Sequence, residues 1–168
     1  DILNDLAWQL SDIDLKRAYA LSETAYTLAA NRGDGEPAYQ AGMACSLRTL
    51  GYLNQRLGNH PLGLSQLLRA LELCETLQLI DLLPDVLDSI AGIYAQSGEF
   101  PTALDYAQRQ LAAAQRSDDK RLIANALNNL ASIYVPIGDL KRGVEVLHRN
   151  LALAKEIGYT RIECISHL

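Results

Sequence analysis

Apolar side chains recur every three or four residues through most of the chain, the spacing that places them on one face of a helix. Residues 127–158 show the pattern most plainly. Leu127, Leu130, Ala131, Tyr134 and Ile137 form one stripe, and Val144, Leu147, Leu151 and Ala154 form a second. Gly138 and Asp139 stand between them. A glycine can adopt the left-handed conformation that ends a helix, and an aspartate can cap the next one. The stretch predicts two helices joined by a sharp turn.

Forty residues upstream the skeleton returns. Leu87, Ala91, Ile93, Tyr94, Gly98, Arg109, Leu111, Ala112 and Ala114 match Leu127, Ala131, Ile133, Tyr134, Gly138, Arg149, Leu151, Ala152 and Ala154. A further forty residues back, Leu47, Leu50, Gly51, Leu53, Gly58, Leu64, Arg69 and Leu71 fall in register. A fixed period of this size marks a solenoid, in which no unit buries its apolar face without its neighbours. The predicted fold is all-α: a right-handed α-solenoid of antiparallel helix pairs. Its units span 1–31, 37–78, 84–116 and 119–157. Within them the expected helices are 2–11, a second from Asp12 or Asp14 to about 30, then 37–57, 61–78, 84–97, 101–116, 119–137 and 141–157. Residues 31–36, with two glycines, read as a loop. Pro37, Pro61, Pro84 and Pro101 fall in expected first turns, where a missing N–H costs nothing. Pro136 falls late in a helix and should kink or tighten its last turn. Thr160 and Glu163 have capping-box spacing and open a truncated helix over 160–168. With Asp at position 1, the chain reads as a fragment of a longer protein.

Small residues recur too. Gly51, Ala91 and Ala131 share one position, and Gly63, Ala103 and Gly143 another, on the two helices of each unit. Close helix–helix approach is expected there, and larger side chains should overpack.

Composition narrows the function. Leu and Ala abound and strand formers are thin, as suits helices. A formal charge of −5 and a pI near 5.1 argue against nucleic-acid or anionic-membrane partners, which attract Lys- and Arg-rich surfaces. Cys45, Cys74 and Cys164 are odd in number and irregular in spacing. They imply neither a disulfide framework nor a zinc site, and suit a reducing, cytoplasmic setting. No apolar run reaches the roughly eighteen residues of a membrane span.

The motifs resemble the tetratricopeptide repeat (TPR). Leu87-x-x-Ile90-Ala91-x-x-Tyr94-x-x-x-Gly98-Glu99-x-x-x-Ala103 and Leu127-x-x-Leu130-Ala131-x-x-Tyr134-x-x-x-Gly138-Asp139 carry the likeness. Asn54 departs from it where an aromatic is usual, as do Gln110 and Asn150 where a small residue is usual. The forty-residue period resembles the longer-helix subtype of bacterial regulators and kinesin light chains. The opening, with Leu3-Asn4-Asp5-Leu6-Ala7-Trp8 and then Asp14-x-x-Arg17-Ala18, is similar to repeat regions of bacterial signalling proteins. That resemblance implies a sensory or docking segment that regulates an output domain.

In such a solenoid the first helix of each pair lines a concave groove. The polar stripe there would be Arg48, Thr49, Tyr52, Gln55 and Arg56 in one unit, and Asp85, Asp88, Ser89 and Gln96 in the next. In the last it would be Asn125, Asn128, Asn129 and Ser132. Carboxamides both donate and accept, so they can hold a peptide backbone of any sequence. In peptide-binding members of the family an Asn stands where Asn129 does. The expected partner is a peptide or protein segment. Self-association is the alternative, with Leu68, Tyr106 and Val146 as a possible apolar surface.

Arg69, Arg109 and Arg149 form a ladder that reads more simply as a solvated face, and Tyr94 and Tyr134 as core. Catalytic signals are thin. Ser117 and Lys120 have the spacing of some acyl-transfer enzymes, but no companion motif accompanies them and Asp118 reads as a helix cap. Cys164 with His167 makes at most half a metal site. Asp85 and Asp88 have no histidine nearby in sequence, and His60 and His148 stand in a turn and on an exposed-looking face. No enzyme activity and no cofactor are expected.

Overall fold

In the computed structural model the described residues are 2–31 and 37–157. They hold eight α-helices. These are α1 (Ile2–Leu10), α2 (Leu15–Ala30), α3 (Gln40–Arg56), α4 (His60–Leu77), α5 (Leu83–Gln96), α6 (Phe100–Ser117), α7 (Lys120–Ile137) and α8 (Leu140–Ile157). The chain forms two compact units, residues 1–89 and 90–168. In the first, α1 packs on α2 and α3, α2 on α3, and α3 on α4. In the second, α6 packs on α7 and α7 on α8. The expected helix at 160–168, the Cys164–His167 pair and loop residues 32–36 lie outside the described residues.

The three periodic glycines end three helices in one way. Gly58, Gly98 and Gly138 have φ of 76°, 78° and 82°, where a Cβ would be strained. At each, the glycine N–H reaches back to Gln55, Ala95 or Val135, and the following N–H to Asn54, Tyr94 or Tyr134. This pair of bonds satisfies two carbonyls that a helix end otherwise leaves open. The turns after α4 and α6 use no glycine. Gln78 and Asp118 take the left-handed conformation there instead. Caps differ by site. Asp14 accepts from the Arg17 N–H at 3.0 Å, and Asp139 from the Arg142 N–H at 3.1 Å. Asp119, not Asp118, caps α7, accepting from the Arg121 N–H at 2.8 Å.

One proline expectation needs correction. Pro37 precedes α3, which begins at Gln40. Pro136 lies inside α7, which runs to Ile137 and ends on Gly138. Pro136 has no N–H to give the Ser132 carbonyl, and Ser132 is exposed, so water can take that place.

The cores are aliphatic and alanine-rich. Leu53, Leu67, Val86, Leu87 and Ala70 are buried in the first unit. In the second, Ala91, Ala103, Ala107, Leu130, Ile133 and Tyr134 form one cluster. Tyr94 stacks on Tyr106 with ring centroids 5.6 Å apart, and both lean on that cluster, as does Val146. Tyr106 and Val146 are therefore packing residues, while Leu68 is 39% exposed. Val144 and Ile137, expected in the packing stripes, are 52% and 43% exposed.

The glycine positions differ in how much room they leave. A Cβ on Gly51 would lie 2.4 Å from Leu67 Cγ, and Leu67 is fully buried. A Cβ on Gly63 would lie 3.0 Å from the Gly51 carbonyl oxygen and 3.2 Å from the Gln55 nitrogen, both backbone atoms. At Gly143 the nearest atom, Tyr134 Cβ, is 3.5 Å away, an ordinary contact. The expected overpacking therefore holds for the α3–α4 pair and not for α8. Gly51→Ala and Gly63→Ala should each cost about 1–3 kcal/mol. Gly143→Ala should raise stability by about 0.5–1 kcal/mol, because alanine loses less backbone entropy in a helix. Urea unfolding of the three variants checks the contrast in sign.

Candidate functional site

The polar positions on the first helices fall into one set in each unit. In residues 1–89 the centre is α3. Arg48, Tyr52 and Arg56 are one helical turn apart and share a face. Arg48 is only 8% exposed. Its Nη1 pairs with Asp85 Oδ2 at 2.7 Å, and its guanidinium carbon stands 3.6 Å from the centroid of the Trp8 ring. A guanidinium is weakly hydrated and flat, so it can be buried between a carboxylate and an aromatic face. Its Nε is buried without an acceptor. Trp8 also meets Tyr52, with centroids 5.4 Å apart at 58°. The Tyr52 O–H donates to Asp12 Oδ1 at 2.7 Å. Arg56 pairs with the same carboxylate and lies over the Tyr52 ring, 5.8 Å from its centroid.

Two protonation equilibria shift in this cluster. Burial holds the Asp85 carboxyl above its usual value, with the Arg48 charge and hydrogen bond pulling it down. Burial likewise raises the Tyr52 phenol, and its bond to Asp12 adds to the effect. Elsewhere in this unit burial pushes the Cys74 thiol up to about 12, which marks a packing residue and not a nucleophile.

Three expected surface residues are inside. Thr49 is fully buried, and its hydroxyl donates to the Cys45 carbonyl at 3.1 Å. Ser89 is 4% exposed and donates to the Asp85 carbonyl. Arg48 is committed to Asp85 and Trp8. All three are buried, so none presents a free group. Tyr52, Arg56, Asp85 and Asp88 are half-buried or exposed.

In residues 90–168 the polar stripe lies on α7. Asn125 and Ser132 are exposed, and Asn128 and Asn129 are half-buried. Their spacing puts all four on one side of the helix. The Asn129 Nδ2 donates to Gln110 Oε1 at 3.4 Å, and Gln110 is 3% exposed. Asn129 is thus partly structural: it satisfies a buried amide. The Ser132 hydroxyl donates to the Asn129 carbonyl at 2.7 Å. Among the described residues the side chains of Asn125 and Asn128 form no hydrogen bond, so their donors and acceptors face solvent. One α7 turn therefore offers two open carboxamides on a rigid support.

The other sequence candidates resolve simply. Arg69 pairs with Glu72 on its own helix, and Arg109 lies over the Tyr106 ring at 5.0 Å. Ser117 ends α6 and donates to the Ala114 carbonyl at 2.8 Å. Among the described residues no group of three His, Cys, Asp or Glu could hold a metal ion. No described helix is long and apolar enough to cross a membrane. Sequence reading missed the parts played by Trp8 and Asp12. A signal existed: Tyr52 and Asp12 are 40 positions apart, and Arg48 and Asp85 are 37 apart. Contacts between successive repeat units fall at about one period, so pairing polar residues at that separation finds both.

No protein-family model matches the chain, and no curated protein matches it by sequence. Solved structures do. Aspartyl phosphate phosphatase F from Bacillus subtilis matches with a TM-score of 0.86 at 13% identity, over 98% of this chain and 42% of its own. The chain thus spans less than half the length of that protein. A Podosopora anserina putative kinesin light chain of nearly identical TPR-like repeats matches with a TM-score of 0.67 at 16% identity, over 92% of this chain and 74% of its own. The N-terminal domain of stress-induced protein-1 (STI-1) from C. elegans gives 0.58 at 18% identity, over 74% of this chain and 97% of its own. The fold is a TPR-like helical repeat.

Proposed function

We propose that this TPR-like chain is a protein-interaction module, whose first-helix faces receive an extended peptide or a segment of a partner protein. The observation that carries this reading is the α7 stripe. Asn125 and Asn128 are polar, accessible and uncommitted, and they stand on a helix locked by a buried core below. Each amide can donate to and accept from a peptide backbone, giving affinity that tolerates sequence variation. In the first unit, the α3 cluster is a second candidate face, with charge and aromatic surface. Arg56 and Asp12 keep 39% and 69% of their side chains exposed, so a partner's charged group can reach either without unpacking the core. In the wider reading suggested by the resemblance, docking here regulates an output domain of a bacterial signalling protein in the cytoplasm.

The test uses peptides selected from a random display library on the purified chain. Asn125→Ala with Asn128→Ala should weaken the best peptide by about tenfold or more, two lost hydrogen bonds at about 1 kcal/mol each. Melting should be unchanged, because neither side chain has a partner to lose. Asn129→Ala is the wrong probe. It strands the buried Gln110 amide and so lowers stability as well. Equal binding by the double variant rejects the α7 assignment.

A further inference from the structure

In the first unit α2 borders an open cleft of about 640 Å³. Leu15, Tyr19, Leu57 and Leu62 supply its apolar lining, and Lys16 and Glu23 line it as well. Leu57 and Leu62 are 59% and 42% exposed. Large apolar side chains left this open around one cleft mark a contact surface. Its charges say what fits.

Lys16, Ala20 and Glu23 fall at i, i+4 and i+7, on one exposed stripe of α2. Lys16 and Glu23 lie equally far on either side of the midpoint between Tyr19 and Ala20. If a second α2 lies antiparallel across that midpoint, each Lys16 meets the Glu23 of the other helix. Ala20, with only a methyl group, lets the backbones approach at the centre. Neither charge is drawn into an ion pair among the described residues. A surface with this symmetry is complementary to itself, which is the requirement of a two-fold interface. We infer that a second copy of this chain occupies the cleft, with α2 antiparallel to its counterpart and Tyr19, Leu57 and Leu62 closing the apolar centre. This surface shares no residue with the α7 stripe, so it stands or falls independently of peptide docking there.

The experiment is light-scattering mass across a concentration series, from micromolar to several hundred micromolar, at physiological salt. The native chain should pass from monomer to dimer. Lys16→Glu and Glu23→Lys should each raise the dimer Kd by about tenfold or more, since each sets two like-charged pairs in contact. Mixed one to one, the two single variants should associate as tightly as the native chain, because each pair then has opposite signs. That rescue separates a lost interface from a lost fold. A native chain that stays monomeric overturns the inference. So does a dimer whose Kd neither single variant changes from the native value.

Discussion

Replacing Arg48 with alanine should cost the fold about 3 kcal/mol at neutral pH, the lower end of the range for breaking a buried ion pair. The lower end applies because Asp85 keeps 30% of its side chain exposed and water screens part of its charge. The variant also strips the guanidinium from Trp8 and leaves a void beneath α1. The pH dependence identifies the cause. Burial already holds the Asp85 carboxyl above its ordinary value, and Arg48 opposes that shift. Without the guanidinium the folded-state pKa climbs further. A carboxyl with a raised folded pKa binds its proton more tightly in the folded chain. The deficit is therefore full at neutral pH and shrinks as pH falls through that folded pKa. Urea unfolding of Arg48→Ala and the native chain at neutral and mildly acidic pH should show the gap narrowing on acidification. A gap independent of pH would mean that lost packing, not the unpaired carboxylate, sets the cost.

The second large effect lies in the other unit. Leu130→Ala should cost about 3–4 kcal/mol. Leu130 is 4% exposed in a cluster with Ala91, Ala103 and Ala107. Alanine neighbours have no flexible side chains to swing into the space, and helix backbones do not close around one missing residue. The cavity therefore persists, and the cost stays well above that of transfer alone. Denaturant unfolding should show a lower midpoint with an unchanged slope. A loss below about 1 kcal/mol would mean that the site collapses.

These two residues also show what the sequence could and could not reveal. Leu130 was legible as core, because a three- and four-residue apolar stripe fixes a direction and a repeated fold supplies the helix it faces. The turns were legible for a similar reason: a glycine at 58, 98 and 138 has one economical explanation, the left-handed φ found at all three. Arg48 was legible only as polar. A helical wheel gives an angle, not a depth, and Thr49, Ser89 and Arg48 all lie deep. The two hydroxyls bond the Cys45 and Asp85 carbonyls one turn back on their own helices and the guanidinium pairs with Asp85, which makes burial of polar groups tolerable. The left-handed Gln78 and Asp118 carried no signal either, because nothing in their type demands that conformation. On α7, Asn125 is exposed and Asn128 half-buried. Asn129 is diverted to Gln110, the very residue that departs from the usual small one.

The most direct test of the docking function is to map, by side-chain amide and backbone NMR shifts, where a selected peptide touches the chain. The expected result is saturable change at the Asn125 and Asn128 carboxamides and at Ser132, with α8 residues such as Leu140 and Val144 unmoved. Shifts concentrated at Leu140 and Val144, with the α7 carboxamides silent, would contradict a first-helix docking face.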